Sequence, residues 1–259
     1  MNMNLILVFL LFFFSRSLSN PQCLENPPVL LNTNNGGVGS VEEIGGIKSY
    51  VSGPDTSNRA VLLISDVYGY EAPNLRKLAD KVGAAGFYAV VPDLMHGDPY
   101  NASDPKKPLP VWKQLHPPDK AAEDALPIFA ALRSKGISAI GAAGFCWGGK
   151  VAVIQASSDD IQAAVLLHPS NVTVEDMKGV RKPIAIFAAE FDNGTPPALL
   201  KQFEETLKSN VPKVDSFVKI FPGVKHGWTI RYNPEDEKAV KSAEEAHQDM
   251  LNWFIKHLY

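Results

Sequence analysis

The sequence has 259 residues, 45% of them hydrophobic and 20% charged, with a formal net charge of -3. Such a chain is long enough for a sizeable core. Its near-neutral balance excludes the basic surface that nucleic-acid binding needs and the charged block of a disordered tail, and no segment repeats at a fixed period.

The N-terminus carries ten apolar residues, LILVFLLFFF at 5–14, too short to span a bilayer but suited to the core of a signal peptide. SLSN follows, so cleavage after Ser19 fits the small-x-small rule. The preceding MNMN carries only the terminal amino charge, which leaves a signal anchor as the alternative; Arg16 and the polar run after it favour cleavage. The expectation is a leader over 1–19, one domain over 20–259 and a secreted protein. Asn101, Asn171 and Asn193 begin N-x-S/T triplets, acceptors for glycans in an exported chain. The two cysteines, Cys23 and Cys146, are too few for a disulfide framework. A Cys23–Cys146 bridge is compatible with this count but would consume the residue that the strand-end pattern singles out.

Strands and helices alternate from there on. Residues 47–52 and 60–65 read as strands around the turn GPDTSN; 72–86 has helical spacing and ends on Gly86; 87–94 is a strand. Residues 96–120 show no regular pattern and are long for a connection, as a segment covering a cleft would be. Residues 119–136 are helical, bent by Pro127. Residues 137–145 form a strand, followed by a glycine turn and a helix from about Gly149. Residues 163–169 and 182–190 are continuous apolar strands, 196–210 a helix, 216–223 a strand and 235–258 a long closing helix. Continuous apolar strands separated by helices predict an α/β protein, a mostly parallel sheet covered on both faces, with its chemistry at the carboxyl ends of the strands.

At one such end stands GFCWGG, residues 144–149. Strand, then Gly-x-Cys-x-Gly, then helix is the pattern of a nucleophile elbow. The turn is tight, small residues flank the nucleophile, and the helix directs its positive end at the sulfur. The Trp147 N–H becomes one oxyanion donor. A small cysteine packed where strand meets helix is the plainer alternative. An elbow nucleophile takes its partners in the order nucleophile, acid, histidine. Asp192 lies just past the strand 182–190, and His226 follows the last strand. His226 would take the thiol proton and Asp192 would hold its tautomer. Glu190 is a near rival of Asp192; the plainer alternatives are a helix cap or turn for Asp192 and a turn beside Gly227 for His226. His168 ends the strand after the elbow helix and is read as pocket-lining. The loop after 60–65 offers the Val67 N–H as second oxyanion donor. Asp66 beside it would keep the thiol protonated until substrate arrives, or else cap the loop or pair with Arg76. Six scattered histidines and two distant cysteines show no metal-ligand spacing.

LLISDVYGY, VVPDL, GFCWGG, AAEFDNGTPP and HGWTIR together resemble the dienelactone hydrolase (carboxymethylenebutenolidase) family of the α/β-hydrolase fold, from about residue 35 to the end. The resemblance implies Cys146, Asp192 and His226 as a triad. It implies that Asp66 stands where bacterial members carry a glutamate that holds the cysteine neutral and swings away on substrate binding. Bacterial members clamp the substrate carboxylate with two arginines. One is missing in MHGDPY after PDL, and Arg231 is the candidate for the other. Plant members resemble this chain most, and some are labelled endo-1,3;1,4-β-glucanases, although glycoside cleavage calls for two carboxylates flanking the bond.

The expected function is therefore hydrolysis of a small ester or lactone through a thioester, without a cofactor, by a monomer with no nucleic-acid partner and no stable membrane insertion. The rivals are a glucan-hydrolysing or glucan-binding wall protein, using carboxylates among Asp66, Asp93, Glu190 and Asp192, and a noncatalytic protein of the same fold whose cysteine is oxidised or bridged.

Overall fold

A computed structural model describes residues 21–28, 37–210 and 212–259; the expected leader and its cleavage point lie outside the described residues. Eight strands form one sheet: β1 (Ser40–Ile44), β2 (Ile47–Ser52), β3 (Arg59–Ile64), β4 (Tyr88–Pro92), β5 (Ala139–Phe145), β6 (Ala163–Leu167), β7 (Ile184–Phe191) and β8 (Ser216–Lys225). Their order is β1-β2-β4-β3-β5-β6-β7-β8. The first hairpin and the β2–β4 pair are antiparallel, and every other neighbour is parallel. The sheet is thus mostly parallel, as the continuous apolar runs require.

Alternation along each strand sorts the core into two layers. Ala60, Leu62 and Ile64 of β3 and Ile184, Ile186 and Ala188 of β7 face one side. That side is covered by α4 (Leu126–Ser134), α5 (Trp147–Gln155) and α7 (Pro197–Ser209) through Phe129, Val151 and Phe203. Val61, Leu63, Ala185 and Phe187 face the other, against α1 (Pro73–Ala84) and α8 (Glu237–Leu258) through Leu78, Met250 and Phe254. At about 25 cal/mol per Å² of apolar surface, these two layers are the dominant favourable contribution to the fold. The Asp236 carboxylate caps α8, accepting from the Lys238 and Ala239 N–H groups.

Several elements differ from expectation. The 119–136 helix is two helices, α3 (Pro118–Asp124) and α4, broken at Ala125. Pro127 sits in the first turn of α4, where its missing N–H costs nothing, whereas inside a continuous helix it would leave a carbonyl unpaired. The segment 96–120 holds α2 (Leu109–Leu115), whose Trp112 is buried against Tyr100 and Trp147. The elbow helix begins at Trp147 rather than near Gly149. The edge strand β1 and α6 (Val174–Gly179) were not anticipated. Asn101, Asn171 and Asn193 are exposed. Among the described residues, no helix is long and apolar enough to cross a membrane.

Candidate active site

The elbow is a steric consequence of its glycines. Cys146 has φ 53 and ψ -111, a region unfavourable for a residue with a Cβ. Holding it there costs roughly 1–3 kcal/mol, supplied by the surroundings: the Cys146 N–H donates to the Leu167 carbonyl at 3.1 Å, and the Cys146 carbonyl accepts from Ser170 and Gly149 at 2.9 and 3.1 Å. A Cβ on Gly144 would come within 2.1 Å of the Gly148 carbonyl oxygen, and one on Gly148 within 2.2 Å of the Ile64 oxygen. Only glycine lets α5 approach β5 and β3 this closely.

That approach brings the ends of β3 and α5 together. Val67 and Trp147 are fully buried, and among the described residues neither main-chain N–H has a hydrogen-bond partner. Unpartnered buried N–H groups are rare; these two stand where the sequence placed the oxyanion donors.

Asp192 and His226 follow β7 and β8. His226 Nδ1 lies 2.6 Å from Asp192 Oδ2, and both side chains are fully buried. Asp192 Oδ1 accepts from the Gly194 N–H at 2.8 Å. The carboxylate therefore fixes the ring and leaves Nε2 to face the sulfur side. Burial disfavours the imidazolium, but Asp192 and then Cys23 outweigh it, so the His226 pKa is raised.

Both cysteines are free, so the Cys23–Cys146 bridge that the count allowed is not formed, yet the two lie side by side. Cys23 belongs to a one-turn segment, Pro21–Leu24, and is fully buried over the elbow. Its Sγ lies 3.6 Å from Cys146 Sγ and 3.2 Å from Ser170 Oγ, which is itself 3.5 Å from Cys146 Sγ. The donor atoms of Cys23, Cys146 and His226 all lie within 4.8 Å of one another, a grouping that no spacing along the chain announces. Burial raises the Cys146 pKa well above its ordinary value; Cys23 pushes it the same way, and Asp66 adds less than either. The hydrogen bond from the Cys146 thiol lowers the Cys23 pKa to about 3 against the opposing effect of burial, with His226 helping. Of the two thiols, Cys146 is the one held protonated, and it donates to Cys23.

Residues 21–28 strap the cleft closed. The Gln22 side chain donates to the Phe191 carbonyl and accepts from the Asn193 N–H. The Tyr68 hydroxyl donates to the Leu24 carbonyl at 3.1 Å. Arg231, expected to hold substrate, instead donates from Nη1 to the carbonyls of Cys23 and Glu25 at 3.0 and 2.8 Å. Its Nε lies 3.1 Å from Asp66 Oδ2, an ion pair without hydrogen-bond alignment. Asp66 therefore pairs with Arg231 rather than Arg76, and its Oδ1 caps the loop by accepting from the Tyr68 N–H. Burial raises the Asp66 pKa, against Arg231 and the Tyr68 N–H. His168 is fully buried behind the site, its Nε2 2.7 Å from Thr229 Oγ1 and its ring packed on His226. Burial lowers its pKa well below the ordinary value, so it stays neutral. A cavity of about 840 Å³ opens beside the strap; His226 and Arg231 line it, together with Asn26, Trp228, Tyr232 and Lys238, and neither cysteine does.

A mostly parallel sheet with a strained cysteine at a strand–helix elbow, and an Asp–His pair at the ends of later strands, defines an α/β-hydrolase. The chain belongs to the dienelactone hydrolase family, whose family model matches residues 47–258. It is 44% identical over 195 residues to an endo-1,3;1,4-beta-D-glucanase of Zea mays, a match covering 73% of this chain and 63% of that protein, so it spans under two thirds of that relative's length. It is 32% identical over 231 residues to a carboxymethylenebutenolidase homolog of Xenopus tropicalis, covering 86% of this chain and 92% of that one. Among solved structures, a putative dienelactone hydrolase from Klebsiella pneumoniae matches its fold with a TM-score of 0.71 at 18% identity, over 85% of this chain and 99% of that one.

Proposed function

We propose that the protein is an exported hydrolase of small esters or lactones that works through a Cys146–His226–Asp192 triad and a thioester. The observation that carries this reading is the elbow: a strained cysteine at a helix N-terminus, flanked by two unpartnered N–H groups and facing an Asp-held histidine. With the strap displaced, the Cys146 thiol gives its proton to His226 and attacks the carbonyl carbon. The Val67 and Trp147 amides receive the oxyanion. The alkoxide leaves with the proton from His226, and water then cleaves the thioester with His226 as base. Cys23 has the lower pKa in the closed state but stands on an isolated turn without oxyanion donors, which argues for Cys146 as nucleophile. Neutral Cys146 in the closed form matches the idea of a thiol held protonated until substrate arrives, with burial and Cys23 contributing more than Asp66. The relatives named carboxymethylenebutenolidase homologs favour a lactone or ester substrate.

The name of the maize relative favours a second reading, glucan hydrolysis. Its chemistry calls for two carboxylates facing each other across an open cleft. Asp66 and Asp192 are buried on Arg231 and His226, and Glu190 is exposed and accepts the Gly223 N–H. Cys146→Ala in the reduced protein separates the readings: it should abolish p-nitrophenyl ester turnover. Full ester turnover by this variant overturns the triad, and mixed-linkage glucan cleavage untouched by it supports the second reading.

A further inference from the structure

We infer that Cys23 and Cys146 are a redox-active pair: a hydroperoxide joins them as a disulfide that blocks the elbow and ties the strap to it. This rests on the reading of Cys146 as nucleophile for its effect on turnover, but not for the chemistry of the pair. Four observations support it. The sulfurs are 3.6 Å apart, so about 1.5 Å of approach reaches disulfide length. Both cysteines are fully buried against each other. They are the two cysteines of the chain, so neither has a competing partner within it. And Cys23 is carried by a one-turn segment outside the sheet, held by side chains rather than by strand pairing, which permits the approach.

The chemistry balances with hydrogen peroxide as the oxidant. Cys23 passes its proton to His226 and its sulfur attacks one peroxide oxygen; the S–O bond forms, the O–O bond breaks, and the departing hydroxide takes that proton back from His226 as water. The Cys146 sulfur then attacks the Cys23 sulfenic sulfur; the S–S bond forms, the S–O bond breaks, and the hydroxide leaves with the Cys146 proton as a second water. Two thiols lose two electrons and the peroxide gains them. Ser170 Oγ, within 3.2–3.5 Å of both sulfurs, donates to whichever sulfur carries charge.

The same donor atoms form the set of a metal clamp, and the charges decide between the two. A divalent cation needs both sulfurs deprotonated and His226 neutral, and its charge would stand near the buried Arg231 guanidinium, already paired with Asp66. A disulfide is neutral and leaves that pair untouched. The closed strap then gains a function: it is the form that oxidation locks, and a reductant must act before the strap can lift from the nucleophile.

The test treats the full chain, after incubation with EDTA, with hydrogen peroxide. Free thiols are counted in denaturant, peptides are mapped without reduction, and p-nitrophenyl ester turnover is followed before and after dithiothreitol. The expected result is loss of both thiols together, a Cys23–Cys146 cross-linked peptide, and turnover that falls with the thiols and returns on reduction. Cys23→Ser should lose its own starting activity to peroxide without recovery by dithiothreitol, because its Cys146 sulfenic acid has no partner and oxidises further. Separate sulfinic or sulfonic acids on the two cysteines of the wild type, or recovery of Cys23→Ser equal to wild type, overturns the pairing. A block that appears with Zn²⁺ alone and is lifted by EDTA overturns it in favour of a metal clamp. A quantitative cross-link that leaves ester turnover intact overturns the block at the elbow, and with it the nucleophile assignment, while the pair itself stands.

Discussion

Gly148→Ala probes the elbow without touching any reacting atom. The new Cβ would lie 2.2 Å from the Ile64 oxygen and 2.5 Å from the Ser65 oxygen, both backbone atoms that cannot swing aside, and real Cβ contacts essentially never fall below 3.0 Å. Relieving the overlap therefore requires α5 to retreat from the end of β3 by roughly 1 Å. Overpacking of this kind costs about 1–3 kcal/mol of stability. The same retreat separates Trp147 at the start of α5 from Val67 beyond β3, so the two proposed oxyanion donors no longer converge; a misplacement of about 1 Å costs on the order of 10²-fold in rate. The assay is kcat/KM for a p-nitrophenyl ester in the reduced protein, with urea denaturation alongside. The expected variant is folded, slightly destabilised and about a hundredfold slower, with the loss mainly in kcat. A folded variant within about threefold of wild type would mean that the α5–β3 approach does not set the donor geometry.

Asp192→Asn keeps the shape of the side chain but removes the charge that fixes His226 at 2.6 Å. kcat should fall by roughly 10³–10⁴ as the imidazole loses its tautomer, while far-UV circular dichroism is unchanged; a loss below about tenfold contradicts the pairing's role. His247 is buried in α8 with Nε2 2.8 Å from the Thr229 carbonyl, and burial lowers its pKa from 6.5 to about 4. A depressed pKa gives stability that is present above about pH 6.5 and lost as pH falls through about 4, a span worth about 3 kcal/mol. Urea midpoints at the two ends of that window should differ less in His247→Gln than in wild type; equal differences contradict the assignment.

Where packing is local and apolar, the sequence is legible. The strands β3 to β7 show as continuous hydrophobic runs because helices bury both faces, and the Gly-x-Cys-x-Gly turn between β5 and α5 marks the elbow because only glycines fit the contacts of 2.1–2.2 Å that a Cβ would make there. Cys146, Asp192 and His226 meet because β5 to β8 run parallel and their carboxyl ends lie at one edge of the sheet. β1 is hidden because it is an edge strand whose residues, apart from Ile44, face solvent, so no alternation reveals it. α2 and α6 are too short for a helical period to emerge. Cys23 is illegible for another reason: its contacts lie 123 residues away at Cys146 and 147 away at Ser170, and nothing in PQCLEN announces a strap. The partners of Arg231 are missed likewise. A buried guanidinium seeks whatever carboxylate and carbonyls the fold brings to it, here Asp66 and the backbone of residues 23–25.

The most direct test is to trap the acyl enzyme. The reduced full chain is mixed with p-nitrophenyl acetate, quenched in acid during the burst, digested and mapped by mass. An acetyl group is expected on Cys146 and is absent from Cys146→Ala. An acetyl group on Cys23 or Ser170 with Cys146 unmodified, or steady ester turnover with no adduct on any of the three, would contradict it.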